Sequence, residues 1–78
     1  MKVLLVDDHP LILSALTTLI EDLGQGIEVI GVDGAASAQT ALARADDFDL
    51  VLLDIALGDA DGFDVLAEMR HRYPGLPV

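Results

Sequence analysis

Two short aliphatic runs of this chain each end in aspartate. The run at residues 3–6 leads into Asp7 and Asp8, and the run at residues 50–53 leads into Asp54. Continuous aliphatic runs are typical of parallel strands that are covered on both faces. Because a parallel sheet places the carboxyl ends of adjacent strands at the same edge, three carboxylates converge there if these strands are neighbours. Such a cluster repels itself and needs a cation.

The remaining sequence alternates strand and helix patterns, which is typical of an α/β protein with a parallel sheet. Pro10 suits the first turn of a helix, and Gly24 and Pro74 mark helix ends. The predicted elements are a strand at residues 2–6, a helix from Pro10 to about Leu23, a strand from Ile27 to Val32, a helix from Ala38 to about Ala45, a strand at residues 49–53 and a helix from Gly62 to Arg72. Residues 75–78 resemble the entrance to a fourth strand, so we expect an incomplete α/β domain.

The helix faces are predicted from apolar residues spaced three and four positions apart. The predicted buried residues are Ile12, Leu16, Leu19, Ile20 and Leu23 on the first helix, and Phe63, Leu66, Ala67 and Tyr73 on or just after the third. Ser37 is the predicted N-cap of the second helix, because a side-chain oxygen there accepts an N–H from the first turn.

The composition excludes several classes of function. Fourteen acidic and four basic residues give a formal net charge of −10. This argues against nucleic-acid binding, because phosphate contacts need Lys and Arg, and against docking on an anionic membrane. The chain has no cysteine, no visible secretory signal and no apolar stretch as long as a membrane span. We therefore expect a cytoplasmic protein without disulfides or thiolate metal sites.

The expected cluster consists of Asp7, Asp8 and Asp54. Mg²⁺ is the expected counter-ion, because it prefers oxygen ligands and keeps several waters. An aspartate beside such an ion can also act as a nucleophile and form an aspartyl-phosphate. The plainer alternative is that Asp7 or Asp8 only caps the helix that starts at Pro10. Two acidic clusters at one sheet edge favour a metal and phosphate site.

The other polar residues are expected to have structural roles. We predict that five acids are solvated loop and helix-start charges, namely Asp46, Asp47, Asp49, Asp59 and Asp64. Asp61, followed by Gly62, is a turn and cap signal. His9 is expected to be a loop or cap residue rather than a metal ligand.

Over its whole length the chain resembles the receiver domain of bacterial two-component response regulators. The resemblance rests on residues 3–10, which include Asp-Asp-His-Pro, on residues 50–54, and on Gly58, Asp61 and Gly62. The Asp-Asp-His-Pro form is similar to that of regulators with a LuxR/FixJ-type helix-turn-helix output domain. The family usually has Pro at the position of Gly58, and this departure predicts a looser loop.

The resemblance implies a flavodoxin-like, doubly wound parallel sheet with the strand order 2-1-3-4-5. It implies that Asp54 is the phosphoacceptor, that Asp8 binds Mg²⁺ directly, and that Asp7 acts through a metal-bound water. The backbone carbonyl of Ala56 would be a further ligand. The partner would be a histidine kinase, and the chain would not be an enzyme, because the phosphoryl group goes to its own Asp54.

By the same resemblance, residues 1–78 are the N-terminal part of a receiver domain without an output domain. They end before the family's Ser or Thr on the fourth strand and its Lys on the fifth, so we expect metal binding to persist and stable phosphorylation to be impaired. The strand at residues 50–53 would then lie at a sheet edge, which is a template for association. We therefore expect a homodimer or higher oligomer formed through that edge.

Three other functions compete with this interpretation. A phosphohydrolase of the haloacid dehalogenase type has a second Asp two residues after its first, but position 9 is His. A cobalamin-binding domain has the motif Asp-x-His-x-x-Gly, but Ile12 occupies the glycine position. A self-associating fragment without phosphotransfer activity is the remaining alternative.

Overall fold

The computed structural model describes residues 1–78 and contains three strands and three helices in alternation. The elements are β1 (Lys2–Val6), α1 (Pro10–Glu21), β2 (Glu28–Val32), α2 (Ala35–Arg44), β3 (Leu50–Leu53) and α3 (Gly62–Arg72). The strands form one parallel sheet in the order β2-β1-β3, so β1 is central. The predicted α/β class is confirmed, and the order matches the first part of a flavodoxin-like sheet.

The hydrophobic core lies on both faces of β1, as its continuous aliphatic sequence predicts. Leu4 and Val6 belong to a cluster with residues of α2 and α3, whereas Val3 and Leu5 pack with Val29 beneath α1. The helices therefore cover opposite faces of the sheet. Burial of one such aliphatic side chain contributes roughly 1.5–3 kcal/mol to the stability of the fold. This packing along β1 holds the ends of the strands in fixed positions relative to one another.

Helix α1 contacts the sheet through a narrower stripe than the sequence predicts. Leu16 and Ile20 pack on the sheet together with Leu13, but Ile12, Leu19 and Leu23 are exposed. Because apolar residues surround this helix, their spacing does not single out the buried side. The helix also ends at Glu21, since the Leu23 N–H bonds to the Ile20 carbonyl and tightens the last turn.

Helix α2 starts three residues earlier than predicted, and the Ser37 N-cap is wrong. Gly34 occupies the N-cap position, and Ser37 lies in the first turn with its hydroxyl donating to the Gly34 carbonyl and to Asp33 Oδ1. The first N–H groups of the helix are bonded by a carboxylate from a distant loop, described below. A cap supplied from elsewhere in the chain leaves no local sequence signal.

The buried face of α3 also differs from the predicted one. Gly62, Val65 and Met69 are buried, whereas Phe63 is 66% exposed and Ala67 is exposed. A Cβ at Gly62 would overlap the Ile55 carbonyl oxygen, so only glycine fits where the start of α3 approaches the backbone of Ile55. The close approach turns Val65 and Met69, which are three and seven positions further on, towards the core.

The predicted entrance to a fourth strand is present as a single contact rather than as a strand. The Pro77 carbonyl accepts a hydrogen bond of 2.9 Å from the Val51 N–H on β3. No helix of the structure has both the length and the apolar character needed to cross a membrane.

Candidate metal centre

The carboxyl ends of β1 and β3 bring three aspartates together. Val6 pairs with Leu53 in the register of the two strands, so Asp7 and Asp54 follow paired residues. The Asp54 N–H donates to the Val6 carbonyl at 2.9 Å and extends the ladder into the site. One ligand atom from each of Asp7, Asp8, His9 and Asp54 lies within 4.8 Å of the others. The predicted convergence of the three carboxylates is confirmed.

Asp7 is the buried member of this cluster, with 6% of its surface exposed. Its Oδ1 accepts hydrogen bonds from the His9 backbone N–H at 2.9 Å and from His9 Nδ1 at 2.7 Å. Burial favours the neutral acid, but the bonds from the backbone and ring of His9 outweigh it, and the pKa of Asp7 is lowered. Asp7 therefore stays ionised in the interior, and it does not serve as a cap of α1.

His9 places its imidazole among the three carboxylates, although the sequence predicts only a loop or cap residue. Nδ1 lies 2.7 Å from Asp7, 3.1 Å from Asp8 Oδ1 and 3.6 Å from Asp54 Oδ2. The hydrogen bond to Asp7, followed by the charges of Asp8 and Asp7, raises the pKa of His9. His9 occupies the N-cap position of α1, but its side chain makes no cap bond. Its position two residues after Asp7 is the signal that could have revealed this contact.

Asp8 has two oxygens in different environments. Oδ2 accepts a hydrogen bond of 2.9 Å from the Gly58 N–H. The looser loop expected at Gly58 stays a prediction. Oδ1 is shielded from solvent and accepts no hydrogen bond, although His9 Nδ1 lies nearby. A buried carboxylate oxygen without a donor is costly, and a hard cation is a suitable partner for it.

Asp54 is a partly accessible carboxylate of the same edge. Its side chain is 26% exposed, and its Oδ1 accepts a hydrogen bond of 3.0 Å from the Ala56 N–H. This bond fixes the carboxylate at the start of the loop after β3. The same edge therefore presents a reachable oxygen nucleophile beside two further carboxylates.

The acids outside the cluster are exposed, as predicted, and several of them also make specific contacts. Asp61 caps α3 by accepting from the Phe63 N–H at 2.8 Å, as predicted. Asp59 is exposed in its loop, as predicted, and it also accepts hydrogen bonds from the first two N–H groups of α2. Asp47 pairs with Lys2 at 2.8 Å, and Asp49 accepts from the Lys2 backbone N–H. Lys2 thus lies at the sheet end opposite to the cluster.

The response regulator receiver domain family matches residues 3–78 of this sequence. The chain belongs to the response regulator receiver domain family. A curated relative, the alginate biosynthesis transcriptional regulatory protein AlgB of Pseudomonas putida, is 43% identical over 77 residues. The match covers 99% of this chain and 16% of the relative. Receiver domains are signalling modules that accept phosphoryl groups from histidine kinases, and the hydrolase and cobalamin-binding alternatives are therefore rejected.

Solved response regulators share the fold. The response regulator MaeR bound to beryllium trifluoride has a TM-score of 0.90 and 29% identity, and the match covers all of this chain and 63% of MaeR. TrrA of Thermotoga maritima in complex with Mg(2+)-BeF has a TM-score of 0.84 and 27% identity, covering 94% of this chain and 61% of TrrA. TrrA in complex with the histidine kinase ThkA has a TM-score of 0.85 and 27% identity, covering 96% of this chain and 62% of that chain. This receiver chain spans less than two thirds of each of these proteins. The type of output domain stays a prediction.

Proposed function

We propose that this receiver chain accepts a phosphoryl group on Asp54 from the phosphohistidine of a histidine kinase. We further propose that Mg²⁺ is bound by Asp7, Asp8 and Asp54 and by the backbone carbonyl of Ala56, with Asp7 acting through a water. The observation that supports this most strongly is the meeting of three carboxylates from two strands within 4.8 Å. The solved complexes of the similar regulator TrrA with Mg(2+)-BeF and with a histidine kinase support the same assignment.

The residues of the site fit a hard divalent cation. The acidic side chains supply carboxylate oxygens, and Asp8 Oδ1 has no hydrogen-bond donor. When bound, Mg²⁺ supplies positive charge that stabilises the phosphoryl oxygens during transfer. The His9 ring contacts the same carboxylates, but its side chain is 59% exposed and can turn into solvent without breaking backbone hydrogen bonds.

The transfer step follows from the position of Asp54. One carboxylate oxygen of Asp54 attacks phosphorus, the new P–O bond forms, and the P–N bond of the phosphohistidine breaks. The leaving imidazole nitrogen keeps the electron pair of that bond. The Ala56 N–H orients the attacking carboxylate, and the buried Asp7 keeps its negative charge close to the cation. The product is an acyl phosphate on this chain, so the chain is a phosphoacceptor and not an enzyme.

A small phosphodonor tests this proposal without knowledge of the cognate kinase. The purified protein is incubated with Mg²⁺ and acetyl phosphate, and its mass is measured. We expect the gain of one phosphoryl group, its loss in Asp54→Asn, and its retention in Asp47→Asn, whose carboxylate pairs with Lys2 at the opposite sheet end. Equal labelling of Asp54→Asn would show that another residue is the acceptor. Absence of labelling in the unaltered protein, with Mg²⁺ still bound, would contradict phosphoryl transfer to this chain and would match the expected impairment of stable phosphorylation.

A second proposal is that copies of the chain associate through the β3 edge. β3 is an outer strand of the sheet. On its outer side, the Val51 N–H donates a hydrogen bond to the Pro77 carbonyl. An apolar groove of about 480 Å³ between α1 and β3 adjoins this edge and includes Leu16, Ile20 and Leu52. Exposed aliphatic strand edges favour association. Light scattering should give at least a dimer mass at micromolar concentration, and a monomer there would refute this proposal.

A further inference from the structure

The loop after β3 is attached to a helix on the other side of the site. Asp59, in this loop, accepts a hydrogen bond of 3.0 Å from the Ala35 N–H and one of 3.3 Å from the Ala36 N–H. These are the first two residues of α2, which has no capping side chain of its own. The two N–H bonds, that of Ala35 first, lower the pKa of Asp59. The carboxylate therefore caps α2 from a position 24 residues after the start of the helix.

The approach of this carboxylate to α2 depends on Gly34. A Cβ at Gly34 would lie 2.8 Å from Asp59 Oδ2, closer than real Cβ contacts, and 3.0 Å from Asp59 Cγ, which is tight. The backbone of Gly34 is extended, a conformation that other residues also adopt. The glycine is thus required for space rather than for its backbone angles. Any side chain at this position displaces the carboxylate of Asp59.

The residue before Asp59 contacts the metal cluster directly. The Gly58 N–H donates to Asp8 Oδ2 at 2.9 Å across a separation of 50 residues. A proline at this position has no N–H and could not make the bond. With Oδ2 engaged, Asp8 Oδ1 is left shielded and without a donor beside the other ligand atoms. Asp59 contacts α2, and the neighbouring Gly58 contacts Asp8. The loop after β3 therefore connects the start of α2 to the metal cluster.

We propose that Asp59 is a positioning residue for the divalent cation: by capping α2 it fixes the Gly58 N–H on one oxygen of Asp8 and leaves the other oxygen for the ion. This inference rests on the proposed function, because it takes Asp8 as a ligand of the cation. Partners that orient metal ligands commonly affect metal affinity by tenfold or more. The competing explanation is that Asp59 only stabilises α2, in which case cation binding does not depend on it.

The test is the Mg²⁺ affinity of the purified protein, measured by calorimetric titration. We expect Asp59→Ala to weaken binding by about tenfold, the lower end of the range for partners of metal ligands. Asp61→Ala is the matched control, because it removes the same charge and also removes a helix cap in the same loop. Gly34→Ala displaces Asp59 without a change of net charge, and it should weaken binding in the same direction.

Two readouts separate positioning from a general loss of stability. Hydrogen exchange of the Gly58 amide should accelerate in Asp59→Ala and Gly34→Ala relative to Asp61→Ala, because the bond to Asp8 is released. Asp59→Asn should restore part of the affinity, since its single amide oxygen can still accept one of the two N–H bonds. Unchanged or tighter Mg²⁺ binding in both Asp59→Ala and Gly34→Ala would overturn the inference. If the unaltered protein binds no Mg²⁺, the proposed function itself fails, and the inference is overturned with it.

Discussion

His9 Nδ1 lies 2.7 Å from Asp7 Oδ1, and the same carboxylate oxygen accepts the His9 backbone N–H. The ring and the backbone N–H of His9 thus both bind the buried carboxylate of Asp7. The raised pKa of His9 favours the protonated, positively charged imidazole beside the three carboxylates.

The first prediction concerns the pH dependence of stability without metal. The pKa of His9 is raised above its ordinary value of 6.5, first by the hydrogen bond to Asp7. The folded protein therefore keeps this proton to higher pH than the unfolded chain does. The resulting stabilisation is fully present below pH 6.5 and is lost as pH rises through the folded-state pKa. Urea unfolding in a chelator buffer should give a free energy that decreases over this range.

The matched control for this pH effect is the exposed His71 on α3. His9→Gln should remove the decrease in unfolding free energy, and His71→Gln should retain it. A decrease of equal size in His9→Gln would mean that another group causes the pH dependence.

The second prediction is that Mg²⁺ stabilises the fold. An ion that binds only the folded state raises the free energy of unfolding, by about 2.7 kcal/mol at a concentration one hundred times its Kd. Asp8→Asn should abolish this gain, because it removes one of the three carboxylates. Asp47→Asn should keep it, since Asp47 pairs with Lys2 instead. Denaturant titrations with and without Mg²⁺ measure the effect, and equal gains in both variants would exclude Asp8 as a ligand.

The third prediction tests which face of α3 is buried. Met69 is fully buried, whereas Phe63 on the same helix is 66% exposed. Met69→Ala should lower the free energy of unfolding by about 2–5 kcal/mol, because it leaves a cavity in the core. Phe63→Ala should change it by about 0.5 kcal/mol or less. Urea denaturation measures both, and a larger loss for Phe63→Ala would support the face predicted from the sequence.

The fourth prediction concerns the glycine at the start of α3. A Cβ at Gly62 would overlap the carbonyl oxygen and the Cα of Ile55 and would lie 2.6 Å from the Ile55 carbonyl carbon. Since backbone atoms cannot move aside easily, Gly62→Ala should lower the free energy of unfolding by about 3 kcal/mol. Gly75→Ala, with nothing within 4 Å of the added carbon, should be nearly neutral. Thermal unfolding of the two variants checks the difference, and equal melting temperatures would argue against the close contact.

Local patterns in the sequence were sufficient for the elements of the fold. Aliphatic runs separated by helical patterns predicted each strand and helix, because burial on both faces of a parallel sheet demands continuous apolar residues. Asp61 was predicted as a cap since its partner, Phe63, is two residues away. The faces of α1 and α3 were predicted less well, because apolar residues occur around these helices and the contact of Gly62 with Ile55 selects the face.

The sequence by itself determined that acids follow two aliphatic strands, and the rule for parallel strands was enough to expect that Asp7, Asp8 and Asp54 meet. Tertiary structure alone decided which distant groups join them: the His9 ring approaches Asp54, and Asp59 caps a helix that starts 24 residues before it. Periodicity and local signals report which side of an element is buried and where it ends. Hydrogen bonds between distant segments depend on how the elements pack, and no local pattern encodes them.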